Sequence, residues 1–145
     1  MTDGPWLERD RRPDGVDDDT VAAVGKLGEA LEWIERARGR LYDFHQMSGH
    51  ADLLLGEAAD ELTDAGHADL ADVIRTEFVG RNVTEGRWTF QIVEEYDATY
   101  WGPLRDAKSD IEQQLMDGRQ HVHESEMKER RRTDGHPHHD SRPPA

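Results

Sequence analysis

Residues 20–66 read TVAAVGKLGEALEWIERARGRLYDFHQMSGHADLLLGEAADELTDAG, and the spacing of their apolar positions decides the fold. Val21, Val24, Leu27, Leu31, Ile34, Leu41 and Phe44 recur at helical intervals, and Ala51, Leu54, Leu55, Ala58 and Leu62 continue the stripe. Such a period predicts one long amphipathic helix. No proline interrupts it. Asp17, Asp18 and Asp19 precede it, where negative charge complements the helix dipole, with Thr20 as the expected N-cap. The run stops at Asp64-Ala65-Gly66, and Gly66 suits the residue just past a helix end, where a left-handed conformation is common.

A second helical stripe follows from His67: Leu70, Val73, Ile74, Phe78, Trp88, Phe90, Ile92, Tyr96, Tyr100, Leu104, Ala107 and Ile111. Gly80 and Gly86 weaken it, and Gly102-Pro103 is expected to kink it, since proline removes a backbone donor and crowds the preceding turn. If the chain reverses at Gly66, facing residues have numbers adding to 130–132. Ala58 then meets Val73, Leu54 meets Phe78, Phe44 meets Trp88, Ile34 meets Tyr96, Leu27 meets Leu104 and Val21 meets Ile111. The fold class is therefore all-α, a long antiparallel helical hairpin with arms of roughly 65–70 Å. The aromatics Trp88, Phe90, Tyr96, Tyr100 and Trp101 exceed what one seam buries. A third helix folding back after Pro103 is one remedy. The preferred one is a dimeric four-helix bundle made from two hairpins.

The first helix carries Gly25, Gly28, Gly39, Gly49 and Gly56, each costing up to about 1 kcal/mol against alanine in a helix interior. Close approach of another helix is one explanation. A break near Ser48-Gly49 is the other.

The same pairing brings Phe44–His50 opposite Gly80–Trp88, where both stripes thin out. His45 is expected beside Glu85 and Arg87, and His50 beside Arg81 and Asn82. Polar groups at mid-bundle need partners, so the favoured reading is a hydrogen-bonded layer that fixes register. The functional alternative is a small-ligand site formed by His45, His50, Arg81, Asn82, Glu85, Arg87 and Trp88, or a metal held by His45, His50 and Glu85. No Glu-x-x-His pair is present, which argues against a di-iron centre. Glu94-Glu95-Tyr96-Asp97 reads as a solvated acidic face. His121 and His123 are two apart, so they diverge on a helix. His136, His138 and His139 form at most a loose metal-binding tract in the tail. Pro5-Trp6-Leu7 is a stray aromatic or a short docking motif. No cofactor is implied.

The totals narrow the function classes. The 145-residue chain suits one domain. Its formal charge of −14 disfavours nucleic acid and anionic membranes as partners. Lys128–Arg132 is the one basic block. No run approaches the roughly 20 apolar residues of a membrane span, and no cysteine is present, so a cytoplasmic location is expected. Arginine outnumbers lysine 15 to 3 and aspartate outnumbers glutamate 18 to 14, which points to a GC-rich coding sequence, with salt adaptation as the second reading. The phosphate-loop, dinucleotide, zinc-protease and nucleophile-elbow patterns are absent.

The segments Phe44-His45-Gln46, Gly49-His50-Ala51-Asp52-Leu53, Gly80-Arg81-Asn82-Val83, Glu85-Gly86-Arg87-Trp88, Glu94-Glu95-Tyr96 and Glu126–Arg132 resemble a family of uncharacterised short actinobacterial helical proteins over about residues 20–132. That resemblance implies no activity, cofactor or catalytic residue. The expected organisation is an acidic disordered lead at 1–19, a hairpin domain at 20–132 turning near 64–67 and kinked near 102–103, and a disordered His/Pro tail at 133–145. The expected function is a non-enzymatic helical interaction or scaffold protein, a homodimer with an unidentified protein partner. The alternative is a bundle holding a small ligand or metal, with enzymatic activity.

Overall fold

A computed structural model describes residues 10–144; the Pro5-Trp6-Leu7 segment lies outside them. The fold is all-α. Helix α1 spans Asp18–Asp64, α2 Ala68–Glu77, α3 Thr89–Tyr96, a π-helical turn Asp97–Trp101, α4 Gly102–Met116 and α5 Val122–Arg131. Among the described residues there is no strand, and only Thr84 and Arg87 form an isolated antiparallel bridge. No helix among them is long and apolar enough to cross a membrane.

Helix α1 runs 47 residues without a break, so Ser48-Gly49 does not interrupt it. Its cap is Asp17 rather than Thr20: the Thr20 N–H donates to Asp17 Oδ1 at 2.8 Å. That places Thr20 three residues inside the cap, and the side chain of Asp17 satisfies one of the orphan donors of the first turn. At the other end Gly66 has φ +91°. The His67 N–H donates to Leu62 O at 2.8 Å and the Gly66 N–H to Thr63 O at 3.0 Å. This double closure is a Schellman motif, and glycine adopts its left-handed residue without a Cβ penalty.

The chain divides into two compact units. One comprises Glu35–Gly102, the other the described residues up to 34 together with those from 103 on. In the Glu35–Gly102 unit, α2 reverses against α1. Arg75 donates to Asp60 at 2.7 Å and to Thr63 at 3.2 Å, and the Gly80 N–H donates to Asp52 Oδ1 at 2.6 Å. Ala59 and Ala71 are fully buried there. The second arm is not the continuous helix its stripe suggests. It is irregular from Phe78 to Trp88, with Gly80 at φ +75° and Gly86 at φ +71°. Helix α3 restarts at Thr89, and the Gln91 side chain accepts the Trp88 N–H at 2.7 Å, one half of a capping box. Thr89 and Val93 are buried.

Just before Gly102-Pro103, where a kink is expected, the helix widens into a π turn. The Gly102 N–H reaches back five residues to Asp97 O, so the wide turn falls just before the proline, which has no N–H to give. A Cβ on Gly102 would lie 2.6 Å from that carbonyl oxygen.

In the other unit, Val21, Met116 and Val122 form a small core, with Val16 and Val24 packed against it. Glu112 is buried beside Lys108 at 2.9 Å. Gly25 lies under the His123 side chain, so close approach explains this glycine, whereas Gly39, Gly49 and Gly56 face open space. Arg12, within the expected disordered lead, forms a two-pronged pair with Glu126 at 2.7 and 2.9 Å and reaches Asp18 at 2.8 Å. In the expected tail, the Thr133 N–H donates to His139 Nδ1 at 3.0 Å. The cations Lys128, Arg130 and Arg131 sit in the last turn of α5, where they complement its dipole.

Candidate functional site

The residues of the polar level expected from the sequence lie apart from one another. His45 Nδ1 lies 2.7 Å from Thr89 Oγ1, and Tyr42 meets the His45 ring edge-on at 6.4 Å. His45 thus partners Thr89 rather than Glu85. Arg87 pairs with Glu95, eight residues on, at 2.7 Å. His50, Arg81, Asn82 and Glu85 are exposed, and Arg81 lies over the Phe78 ring at 5.7 Å. Half-buried Trp88 packs edge-on against Phe90. Residues Arg81–Gly86 line a recess of about 490 Å³ within their own turn, which His45 and His50 do not line. Among the described residues no three histidine or carboxylate groups gather to hold a metal ion, so His45, His50 and Glu85 are not assembled into a ligand set.

A second cluster in the same unit was not singled out by the sequence. Arg38 on α1 forms a two-pronged pair with Asp97 at 2.6 and 2.9 Å. Its guanidinium lies 4.1 Å from the centre of the Trp101 ring and 5.0 Å from that of Tyr42. The bonded Asp97 carboxylate raises the Arg38 pKa further above its ordinary range. Burial likewise pushes the Tyr96 hydroxyl upward, and its ring tilts against Tyr100 at 5.5 Å. The planar fork of Arg38 suits a carboxylate on its edge and aromatic rings on its faces. Both prongs are committed, so the cluster fastens α1 to the π turn. A sequence signal existed: Gly102-Pro103 forces the irregular turn that presents Asp97 and Trp101 on one side. In the other unit a groove of about 410 Å³ is lined by Arg11, Arg130, Glu126 and Glu129, with Asp10, Ser125 and Ser141. Its two guanidinium groups and three carboxylates are interspersed, so no cluster of one sign is formed.

The most extended feature is apolar. On α1, Phe44, Met47, Ala51, Leu54 and Ala58 recur at alternating intervals of three and four and are all exposed. Met47 is 66% and Leu54 48% exposed. Leu70 and Val73 on α2 are similarly open. By contrast, the apolar side chains buried among the described residues are Val21, Ala59, Ala71, Val93, Met116 and Val122. Exposed apolar rows of this length mark interaction surfaces. No family model, curated protein sequence or solved structure matches the chain.

Proposed function

We propose that this chain is a non-enzymatic helical interaction protein, acting as a homodimer in which two hairpins pair into a four-helix bundle. One observation carries the reading: the heptad row Phe44–Ala58 lies exposed, while few large side chains are buried. Removing such a row from water contributes roughly 25 cal/mol for each Å² covered, a gain the isolated chain forgoes. A cytoplasmic setting belongs to the same reading, and the charge of −14 disfavours nucleic acid as the partner.

Light scattering tests it. At micromolar concentration the expected mass is twice 16.6 kDa, and a monomer mass across the accessible concentration range refutes it. A second reading, a small-ligand site, draws on the recess at Arg81–Gly86. A saturable rise in melting temperature on adding a small anion, lost in Arg81→Ala, would select that reading instead.

A further inference from the structure

The row on α1 extends at both ends by one charged residue. Arg40 lies four residues before Phe44, and Glu61 three after Ala58, so the sequence of the row is Arg40, Phe44, Met47, Ala51, Leu54, Ala58, Glu61. All seven are exposed. Arg36 stands one turn before its basic end, where Arg40 also pairs with exposed Asp43 on α1 at 3.4 Å. The row is thus an apolar strip with Arg40 at one end and Glu61 at the other.

The strip is not the side of α1 that meets α2 and α3. Arg38, His45, Asp52 and Ala59 face those elements. At 3.6 residues per turn the apolar row lies roughly 120° behind them. On α2 the inward residues are Ala71, Ile74 and Arg75, and exposed Leu70 and Val73 also lie roughly 120° behind. Because the chain direction reverses at Gly66, equal offsets in the same sense put both rows on the same side of the hairpin. Leu53, 66% exposed, is on the other side.

We infer that this side is a self-docking face, and that a second copy covers it with its α1 antiparallel to the first. The inference rests on the homodimer reading above and specifies its geometry. A twofold axis near Gly49 sets Phe44 against Leu54 of the second copy and Met47 against Ala51, so the apolar row covers itself along the seam. The same operation places Arg40 over Ala58 of the second copy, one turn from that copy's Glu61. The charged residue at each end of the row therefore meets its opposite. A parallel pairing would set Arg40 on Arg40 and Glu61 on Glu61, and like charges so placed oppose association. From Arg40 to Glu61 the face is roughly 32 Å long, and the hairpin is roughly 20 Å wide. That is on the order of 600 Å² for each copy, the lower end of the size of a specific interface.

The full chain has no cysteine, so introduced thiols report without background. Phe44→Cys and Leu54→Cys proteins, mixed and mildly oxidised, are expected to yield a disulfide-linked heterodimer. Neither alone should link, because like positions sit roughly 15 Å apart along antiparallel helices. Linking of each variant with itself and not with the other overturns the antiparallel register. Met47→Asp is expected to weaken dimerisation at least tenfold, with helicity retained because the side chain is already 66% exposed. Leu53→Asp, equally exposed on the opposite side, should leave it unchanged. The reverse pattern overturns this face while leaving the homodimer reading intact, whereas a monomeric parent protein defeats both. Arg40→Glu and Glu61→Arg should each weaken the dimer, and their combination should restore it. Additive losses in the double variant refute the charge pairing.

Discussion

Two glycines on α1 should respond to alanine with opposite signs. A helix-interior glycine is worse than alanine by about 1 kcal/mol, so without obstruction every Gly→Ala change on α1 stabilises. At Gly49 nothing lies within 4 Å of the added Cβ. Gly49→Ala should therefore gain about 0.5–1 kcal/mol. At Gly25 the added Cβ would lie 2.7 Å from His123 Cγ and 2.8 Å from His123 Cβ. These atoms are at the root of the side chain, so a rotamer change does not clear them and α5 itself must move. Overpacking of that kind costs about 1–3 kcal/mol. It outweighs the propensity gain, and Gly25→Ala is expected to be neutral to destabilised by about 2 kcal/mol. For a chain of this length each kcal/mol moves Tm by about 2–4 °C. Thermal unfolding followed by circular dichroism at fixed protein concentration should thus raise Tm by a few degrees for Gly49→Ala and lower it for Gly25→Ala. Equal stabilisation by both would refute the packing of His123 on α1.

The remaining predictions concern the first turn of α1 and the π turn. The Thr20 side chain and N–H hold the Asp17 carboxylate below its ordinary pKa. A depressed folded-state pKa means stability present above the unfolded value and lost as pH falls through the folded one, so the Tm advantage over Asp17→Ala should be full at neutral pH and vanish in acid. An advantage that grows toward acid would contradict the capping role. Gly102→Ala drives a Cβ to 2.6 Å from Asp97 O and should destabilise by about 1–3 kcal/mol. The near-ultraviolet signal of Trp101 should change with it, because Arg38 reaches that ring through the same turn; an unchanged Tm and spectrum would rule this out.

How far the sequence reveals this structure depends on whether a feature has a local cause. Gly66 was legible because a Schellman closure needs a left-handed residue at a helix end, and little but glycine supplies one cheaply. Asp17–Asp19 marked the start of α1 for an equally local reason, although which residue caps was missed: Thr20 and Asp17 are both competent, and backbone phase decides. The irregular second arm is not legible in the stripe because apolar spacing averages over a window. Phe78, Trp88 and Phe90 keep a helical period across an irregular stretch, so the positive φ at Gly80 and Gly86 was outvoted. The same stretch decides the site. Once residues 78–88 leave the helix, a constant sum no longer holds, and His45 meets Thr89 in place of Glu85; before that stretch the expected Ala58–Val73 contact also fails, because both residues are exposed and face away from the seam. The Arg38–Asp97 pair spans 59 positions and has no local signature apart from the proline that shapes its turn.

The bonds fastening the Glu35–Gly102 unit are nested around Gly66. Arg75–Asp60 spans 15 positions, Gly80–Asp52 28, His45–Thr89 44 and Arg38–Asp97 59. Each encloses the one before it. Closing a loop costs entropy that grows with its length, and an inner bond already made shortens the loop left for the next. The fastest route to this unit is therefore a zipper that starts at the Schellman turn and finishes at the arginine clasp. Substitutions at Ala71, beside the turn, should slow folding. Those at Arg38 should mainly speed unfolding. The clasp farthest from the turn then governs how long the unit survives once folded, and the glycine at the turn governs how soon it forms.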